Sequence, residues 1–308
     1  ALPISVSWAQ SFPTKPLKIV VPFGPGGVAD LTARTVAQKL SQTLGQPVVV
    51  ENKPGAGGIA ASDLVAKAEP DGHTMLLMSN GSAVSATLFK SLPYDTVRDF
   101  TPISTLGFFD IVVITAAESR FKSMPELLTY ARNNPGKLNL GSINIGSTQN
   151  LAAELFRSNA GADMQIVPFN GTPAVVNALR GGQIDAAVEI LAPVLGQIRG
   201  GALRALAVTS EKRTALLPEV PTSKEGGLPA YLASSWNALA VPAKTPAEVV
   251  AKLNRDIVDA VNSAEVRNRL AQLSVEARSS SAEQARDFLA SEIKRWGDVI
   301  QKAGIQKQ

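Results

Sequence analysis

Residues 17–44 read LKIVVPFGPGGVADLTARTVAQKLSQTL. The opening LKIVVPF is a short apolar run rich in β-branched residues and predicts a strand, whereas residues 28–44 place apolar side chains at helical spacing and predict a helix. Between them PFGPGG supplies the glycines of a tight strand-to-helix turn. The same unit then recurs. Residues 47–51 (PVVVE) predict a second strand, 54–58 (PGAGG) a second glycine turn, 59–68 a helix and 74–79 a third strand. A second series begins near Ile103, with strands expected over 111–115, 138–142, 165–168, 184–189 and 205–209 and helices opening at Ser123, near Ser147 and at Pro173. Strands alternating with helices imply parallel sheets covered on both faces, so the expected fold is α/β with two doubly wound domains.

The C-terminal third reads as mostly helical. Thr245, Pro246 and Glu248 stand where a capping box places its cap, N1 proline and N3 glutamate, and Ser281 with Gln284 offers another such box. The last helix is expected to run to Ala303, with Phe288, Leu289, Ile293 and Trp296 on one apolar face and Trp296 in the core.

Composition narrows the chemistry. A chain of 308 residues buries roughly three quarters of its unfolded surface, enough for two ordinary domains. It has no cysteine and a single histidine, His73, which excludes disulfides, thiolate nucleophiles and cysteine-based metal sites and leaves no Ser/His/Asp constellation without His73. His73 follows Pro70-Asp71-Gly72 and reads as a surface or turn residue; no metal and no cofactor are expected. The net charge of +4 is scattered and aromatics make up only 5%, which argues against nucleic acid as a partner. No apolar run reaches the ~18 residues of a membrane span. Residues 1–9 (ALPISVSWA) read as the remnant of an export signal, with Ser7 and Ala9 at the −3 and −1 positions of a cleavage site.

Three strand-to-helix loops are the candidate binding elements. Residues 22–30 (PFGPGGVAD) and 141–150 (GSINIGSTQN) each run from a strand end into a helix N-terminus, where unpaired amides and the helix dipole hold a carboxylate or phosphate without a basic side chain. One such loop in each domain implies a shared cleft. Residues 169–173 (FNGTP) form the third, with Thr172 expected as the cap, Pro173 at N1 and Asn170 free for a ligand. Glu189 ends a strand at the same carboxyl-end crevice, and Asp30 lies in a first helical turn, where the dipole accounts for it as well as ligand contact does. A competing reading comes from residues 55–60 (GAGGIA), which satisfy the G-x-G-x-x-A dinucleotide fingerprint. That loop follows the second strand rather than the first, and the acidic residue expected about 20 positions on is missing.

The ordered series PFGPGGVADLTAR, VVVENKPGAGGIAAS, PDGHTMLLMS, YDTVRDFTPIS, GSINIGSTQNLAAELF, VPFNGTPAVVNALRGGQIDAA, LRALAVTSEKRTALLPEVPTSKEGG and WNALAVPAKTP resembles, nearly end to end, the Bug receptors. These are the periplasmic substrate-binding components of tripartite tricarboxylate transporters. The resemblance implies a type II periplasmic-binding-protein fold with a central cleft. Its first domain would span 10–103 plus 229–308, with the second, 104–228, inserted into it. It implies a non-enzymatic, monomeric, exported receptor in the periplasm of a Gram-negative bacterium, which hands a small carboxylate to membrane transporter subunits. A sensor for a signalling system is the alternative within the same fold.

Carried over by motif, the ligand contacts would be Gly26, Gly27, Val28, Ala29, Asp30, Ser79 and Asn80 from the first domain. From the second they would be Gly146, Ser147, Asn150, Phe169, Asn170, Gly171, Thr172, Ala174 and Glu189. Asn150 stands where many relatives have histidine, Asn170 where they often have lysine, and Phe169 where tyrosine is usual. The first two exchanges remove positive charge and point to a mono- or dicarboxylate rather than citrate.

Overall fold

A computed structural model describes residues 12–143, 145 and 147–308. The expected export-signal remnant over 1–9 lies outside the described residues. In chain order the strands are β1 (Leu17–Val21), β2 (Val48–Asn52), β3 (Thr74–Ser79), β4 (Phe100–Ala116), β5 (Asn139–Ile143), β6 (Gln165–Phe169), β7 (Ala186–Ile190), β8 (Leu203–Val208), β9 (Ser234–Pro242) and β10 (Val275–Ala277). The helices are α1 (Val28–Leu44), α2 (Ile59–Ala66), α3 (Asn80–Leu88), α4 (Met124–Asn133), α5 (Thr148–Ala160), α6 (Thr172–Arg180), α7 (Leu191–Arg199), α8 (Ala247–Asn262), α9 (Ala264–Gln272) and α10 (Ala282–Lys302).

The strands are hydrogen-bonded in the order β2-β1-β3-β9-β4-β7-β5-β6, with β8 and β10 also paired to β4. Each half holds three parallel strands in the same arrangement, β2-β1-β3 and β6-β5-β7. The expectation of wholly parallel sheets fails at the middle, where β9 is antiparallel to β3 and β4, and β4 is antiparallel to β7 and β8. Strand β4 joins the halves. Its residues from Phe100 to Asp110 pair with β9, and those from Ile111 to Ala116 pair with β7 and β8.

These pairings fix directions. Strand β3 runs the same way as β4, because both are antiparallel to β9, so the carboxyl end of β3 points toward the second half. Strand β7 opposes β4, so its carboxyl end points back toward the first. The carboxyl ends of both parallel triplets, and the helix N-termini that follow them, therefore face one another across the change of partners at Asp110 and Ile111.

Both faces of the sheet are covered, which is why its strands read as continuous apolar runs. Along β3, Met75 and Leu77 enter a core shared with α1, α8 and α9, while Leu76 and Met78 enter the opposite one. Along β4, Val112 and Ile114 pack under α6 and α7, whereas Ile111 and Val113 join the core that also contains Met78, Phe156, Tyr231, Trp236 and Trp296. That core is continuous through both halves. Trp296 is fully buried, as its helical phase implies, and α10 begins on the expected Ser281/Gln284 capping box.

The buried Glu292 carboxylate on α10 holds the centre. Its Oε2 accepts from the indole Nε1 of Trp236 (3.0 Å) and of Trp296 (3.1 Å) and from Arg295 Nη2 (3.1 Å), while Arg295 Nη1 donates to the Leu232 carbonyl.

Two local expectations need correction. Helix α8 has Pro246 at its N-cap with no side-chain cap, because the Thr245 hydroxyl donates to the Pro242 carbonyl (2.7 Å) instead. His73 is buried, not on the surface: its Nε2 accepts from the Thr14 amide (3.2 Å), its ring packs edge-on against Phe12, and its amide donates to Asp71 in the turn.

Replacing Glu292 by Ala leaves two buried indole N–H groups without an acceptor and removes the partner of the partly exposed Arg295, a loss on the order of 3 kcal/mol. We expect a lowered urea midpoint for Glu292→Ala and a smaller drop for Glu292→Gln, which keeps an acceptor; an unshifted midpoint for the alanine variant would remove Glu292 from the core's hydrogen bonding.

Candidate functional site

The first loop turns on Gly26, whose φ of 85° lies in the left-handed region. Gly27 is the N-cap of α1, with no side-chain cap, and residues 23–27 are exposed at the end of β1. Val28 and Ala29 follow, half-buried, at the first two helical positions.

Asp30 is buried and already committed. Its Oδ2 accepts from the Gly26 amide (2.8 Å) and Arg34 Nε (3.0 Å), and its Oδ1 accepts from Asn52 Nδ2 (2.8 Å). Burial pushes its pKa upward, but Arg34, the Gly26 amide and Asn52 outweigh that and hold it below the ordinary value. Asp30 therefore braces the loop from beneath. Arg34 Nη2 in turn donates to Asn52 Oδ1, and Asn52 Nδ2 also donates to the Phe23 carbonyl.

Ser79 caps α3 in a reciprocal box with Ser82. Asn80, buried at the first position of α3, donates from Nδ2 to the Ser234 carbonyl (3.0 Å), while its Oδ1 has no hydrogen-bond partner. Ser234 pairs with Asp110 in β4, so this residue abuts the change of partners between the halves.

In the second half Ser147 is the N-cap of α5, as expected, and its hydroxyl oxygen accepts from the Asn150 amide (3.1 Å). Asn150 is buried, with Nδ2 donating to Ser142 Oγ (3.2 Å). Gly146 lies outside the described residues. Phe169 is half-buried at the end of β6, Asn170 is exposed, and Ala174 is half-buried in the first turn of α6. Thr172 is not the cap expected of it. Helix α6 begins one residue earlier, with Gly171 (φ 89°) at the N-cap and Thr172 at the first helical position, where its hydroxyl donates to Glu189 Oε2 (2.9 Å).

Glu189 is fully buried beneath this loop pair. Its Oε2 also accepts from Gln149 Nε2 on α5 (3.3 Å), and its Oε1 has no hydrogen-bond partner. Burial raises its pKa to about 7, against the charge-favouring donors Thr172, Gln149 and the Ile190 amide.

The GAGGIA glycines are occupied by packing. A Cβ on Gly57 would stand 2.6 Å from both Phe89 Cε2 and Ser85 Oγ, and one on Gly58 would stand 3.0 Å from Pro22 Cβ. The Ser85 hydroxyl donates to the Gly57 carbonyl. These contacts give the glycines a role in packing α2 and α3 against the first loop.

Several neighbours went unnoticed in the sequence. Arg34 was available from its i+4 spacing to Asp30, and Gln149 from its place in the first turn of α5. Phe23 and Ile145, 40% and 63% exposed, bring apolar side chains to the loops at the ends of β1 and β5. A large exposed apolar residue can be recognised only once burial is known.

Two α/β halves with facing carboxyl strand ends and a crossing strand define a two-domain periplasmic-binding-protein fold of type II. Residues 32–305 match the tripartite tricarboxylate transporter family receptor, and the chain belongs to that family, one of periplasmic solute-binding proteins. It is 38% identical to Protein BugT of Bordetella pertussis over 309 aligned positions, covering 99% of this chain and 94% of that one. Among solved structures, the periplasmic binding protein BugD matches with a TM-score of 0.80 at 32% identity, over 96% of this chain and 100% of that one. R. palustris Rpa4515 with adipate matches with a TM-score of 0.83 at 31% identity, over 96% and 99%. The resemblance to Bug receptors is thereby established. Among the described residues no helix is long and apolar enough to cross a membrane.

The raised pKa of Glu189 makes stability depend on pH in a stated direction. Below pH about 4.5 the carboxyl is protonated whether folded or not; between there and about 7 the unfolded chain releases the proton and the folded one keeps it. Stability therefore falls as pH rises through this window, by up to about 3 kcal/mol. We expect Glu189→Gln to raise the thermal midpoint at pH 8 and leave it nearly unchanged at pH 4.5; parallel pH profiles for the two proteins would show that Glu189 titrates normally.

Proposed function

We propose that this protein is an extracytoplasmic receptor that captures a small mono- or dicarboxylate between its halves and delivers it, unchanged, to the membrane subunits of a tripartite tricarboxylate-type transporter. The observation that carries this reading is the opposition of helix N-termini. The loops entering α1 from one half and α5 and α6 from the other approach the same change of partners in β4. Amides at such ends hold a carboxylate through hydrogen bonds and the helix dipole. Bound adipate in Rpa4515 supports the ligand class.

Under this reading Gly27, Val28, Ala29, Ser147, Asn170, Gly171 and Ala174 supply direct contacts, mostly through backbone. Asp30, Ser79 and Thr172 shape those loops instead, because their polar atoms are engaged within the protein, and Glu189 does so through Oε2. Asn80 presents an unpaired Oδ1 at the crossing, Asn150 lies in the first turn of α5, and Gly146 is included by motif alone.

The three loops, 22–30, 143–150 and 169–174, contain no Lys, Arg or His. A trianion would gather charge that nothing there offsets, which favours ligands with one or two carboxylates. Phe23 and Ile145 suit an aliphatic body between them.

The proposed division into 10–103 plus 229–308 and an inserted 104–228 is supported in outline by Gly226, which packs against Met124 of α4, and by a change of β4 partners, although that change falls at Asp110 and Ile111, seven residues beyond the expected boundary. Export, cleavage after Ala9, a monomeric state and the absence of catalysis belong to the same proposal.

A thermal-shift screen of the purified protein against aliphatic mono- and dicarboxylates including adipate, amino acids, citrate and nucleotides tests it. A ligand at 100 times its Kd stabilises by about 2.7 kcal/mol. We expect shifts confined to acids with one or two carboxylates, lost in Gly26→Val, where a β-branched residue at φ 85° distorts the loop. A shift with NAD and none with acids would restore the GAGGIA loop as a cofactor site; nanomolar citrate binding would overturn the charge argument.

A further inference from the structure

We propose that carboxylate capture at this site is coupled to uptake of one proton by Glu189, so that the receptor takes its ligand as an anion together with a proton from solvent. The proposal rests on the receptor reading above and assigns the site a charge-compensating residue that does not touch the ligand.

The geometry comes first. Glu189 Oε2 is shared between Thr172 and Gln149, side chains in the first turns of α6 and α5. These are the two helix ends of the second half that would hold the ligand, and the carboxylate lies directly beneath both. It is fully buried, and its Oε1 has no hydrogen-bond partner. An ionised carboxylate wants donors on both oxygens, and here both side-chain donors go to Oε2.

The charged side chains on the elements packed against β7 are Asp110 on β4, Glu154 and Arg157 on α5, Arg180 on α6 and Arg199 on α7; β5 carries none. None of them contributes to the shift at Glu189, which arises from burial against neutral donors. The anion most able to alter it is therefore the ligand.

A ligand carboxylate held at the same helix ends would be a like charge close to Glu189, which Thr172 and Gln149 tie to those ends in a region of low dielectric. The two compete for the same positive helix ends. Protonation on Oε1 removes the repulsion and converts a donor-poor oxygen into an O–H; the proton comes from water or buffer, and no bond in the ligand changes. With its pKa raised by burial to about 7, both forms of the group are accessible near neutral pH. The third loop adds a mechanical link. Because Thr172 and Gln149 both hold Oε2, a change of charge there adjusts the entrances of α5 and α6 together.

Titration calorimetry of adipate into the full chain, at pH 7 in buffers of different ionisation enthalpy, tests this. Adipate is fully ionised under these conditions, so it carries no proton of its own. We expect the observed heat to vary linearly with buffer enthalpy, with a slope of less than one proton taken up per ligand at pH 7 that grows toward pH 8, where more of Glu189 is ionised in the empty protein. Glu189→Gln should bind adipate with a slope of zero. Thr172→Val, which removes a donor favouring the charged form, should move the uptake window to higher pH. These two measurements, with the wild-type pH profile, keep the test decisive even if the glutamine variant misfolds.

Binding with buffer-independent heat in the wild type, or a slope that persists in Glu189→Gln, overturns the proposal and leaves the receptor reading intact. Absence of binding by adipate and by every acid of the screen overturns both.

Discussion

One strand that changes partners without ending sets the terms for the rest of the molecule. From Phe100 to Ala116 the backbone stays extended, yet its neighbours switch from β9 and β10 to β7 and β8. Because strand direction is fixed by pairing, this single continuity dictates that β3 and β7 point at each other. Helices that follow strands begin at carboxyl ends, so their unpaired amides are delivered to the same place. A cleft with positive helix ends from both halves is thus a consequence of pairing sense, before any side chain is chosen. The continuous core under α10, with Glu292 at its centre, holds the halves around that crossing.

Helix ends that attract a ligand's carboxylate also attract the protein's own. Asp30 and Glu189 are both buried carboxylates at these ends, and they behave oppositely. Asp30 has three donors, one of them the cationic Arg34, and its pKa falls in spite of burial. Glu189 has neutral donors and a bare oxygen, so burial prevails and its pKa rises. The difference is one of donor count and charge rather than depth. It separates a carboxylate that functions as a permanent brace from one that responds to what arrives next to it.

Much of this was legible in residue order, and the failures have physical causes. Strand β1, helix α1 and the Ser123, Ser147 and Ser281 caps follow from periodicity and cap chemistry and stand where expected. Strand β4 was read only as 111–115, because Pro102 and Gly107 interrupt the pattern at the two register shifts against β9. Helix α3, NGSAVSATL, has too few large apolar residues to display a helical period. Strand β9 was not read at all, because the C-terminal third reads as mostly helical, and with it went the antiparallel centre of the sheet. Thr172 followed by Pro173 is a sound cap signature; it lost to a partner 17 residues away, Glu189, which no local rule contains.

The same distinction bears on which residues can discriminate among ligands. Family resemblance points to side chains at 30, 79, 147, 150, 172 and 189, but most of their polar atoms are bonded to the protein itself. Ser147 caps α5, Ser79 caps α3, and Asp30 holds Gly26. Amides left at these helix ends recognise any carboxylate and carry no information about the rest of the molecule. Selectivity then has to come from groups whose solvation changes when the cleft fills. Under the receptor reading these are the exposed Asn170, Phe23 and Ile145, and Glu189, whose charge the bound anion alters. The first three sense the shape and polarity of the ligand's body, while the last senses its charge. On the proposed reading, an acid that is small, aliphatic and no more than doubly charged is the ligand that satisfies all four at once.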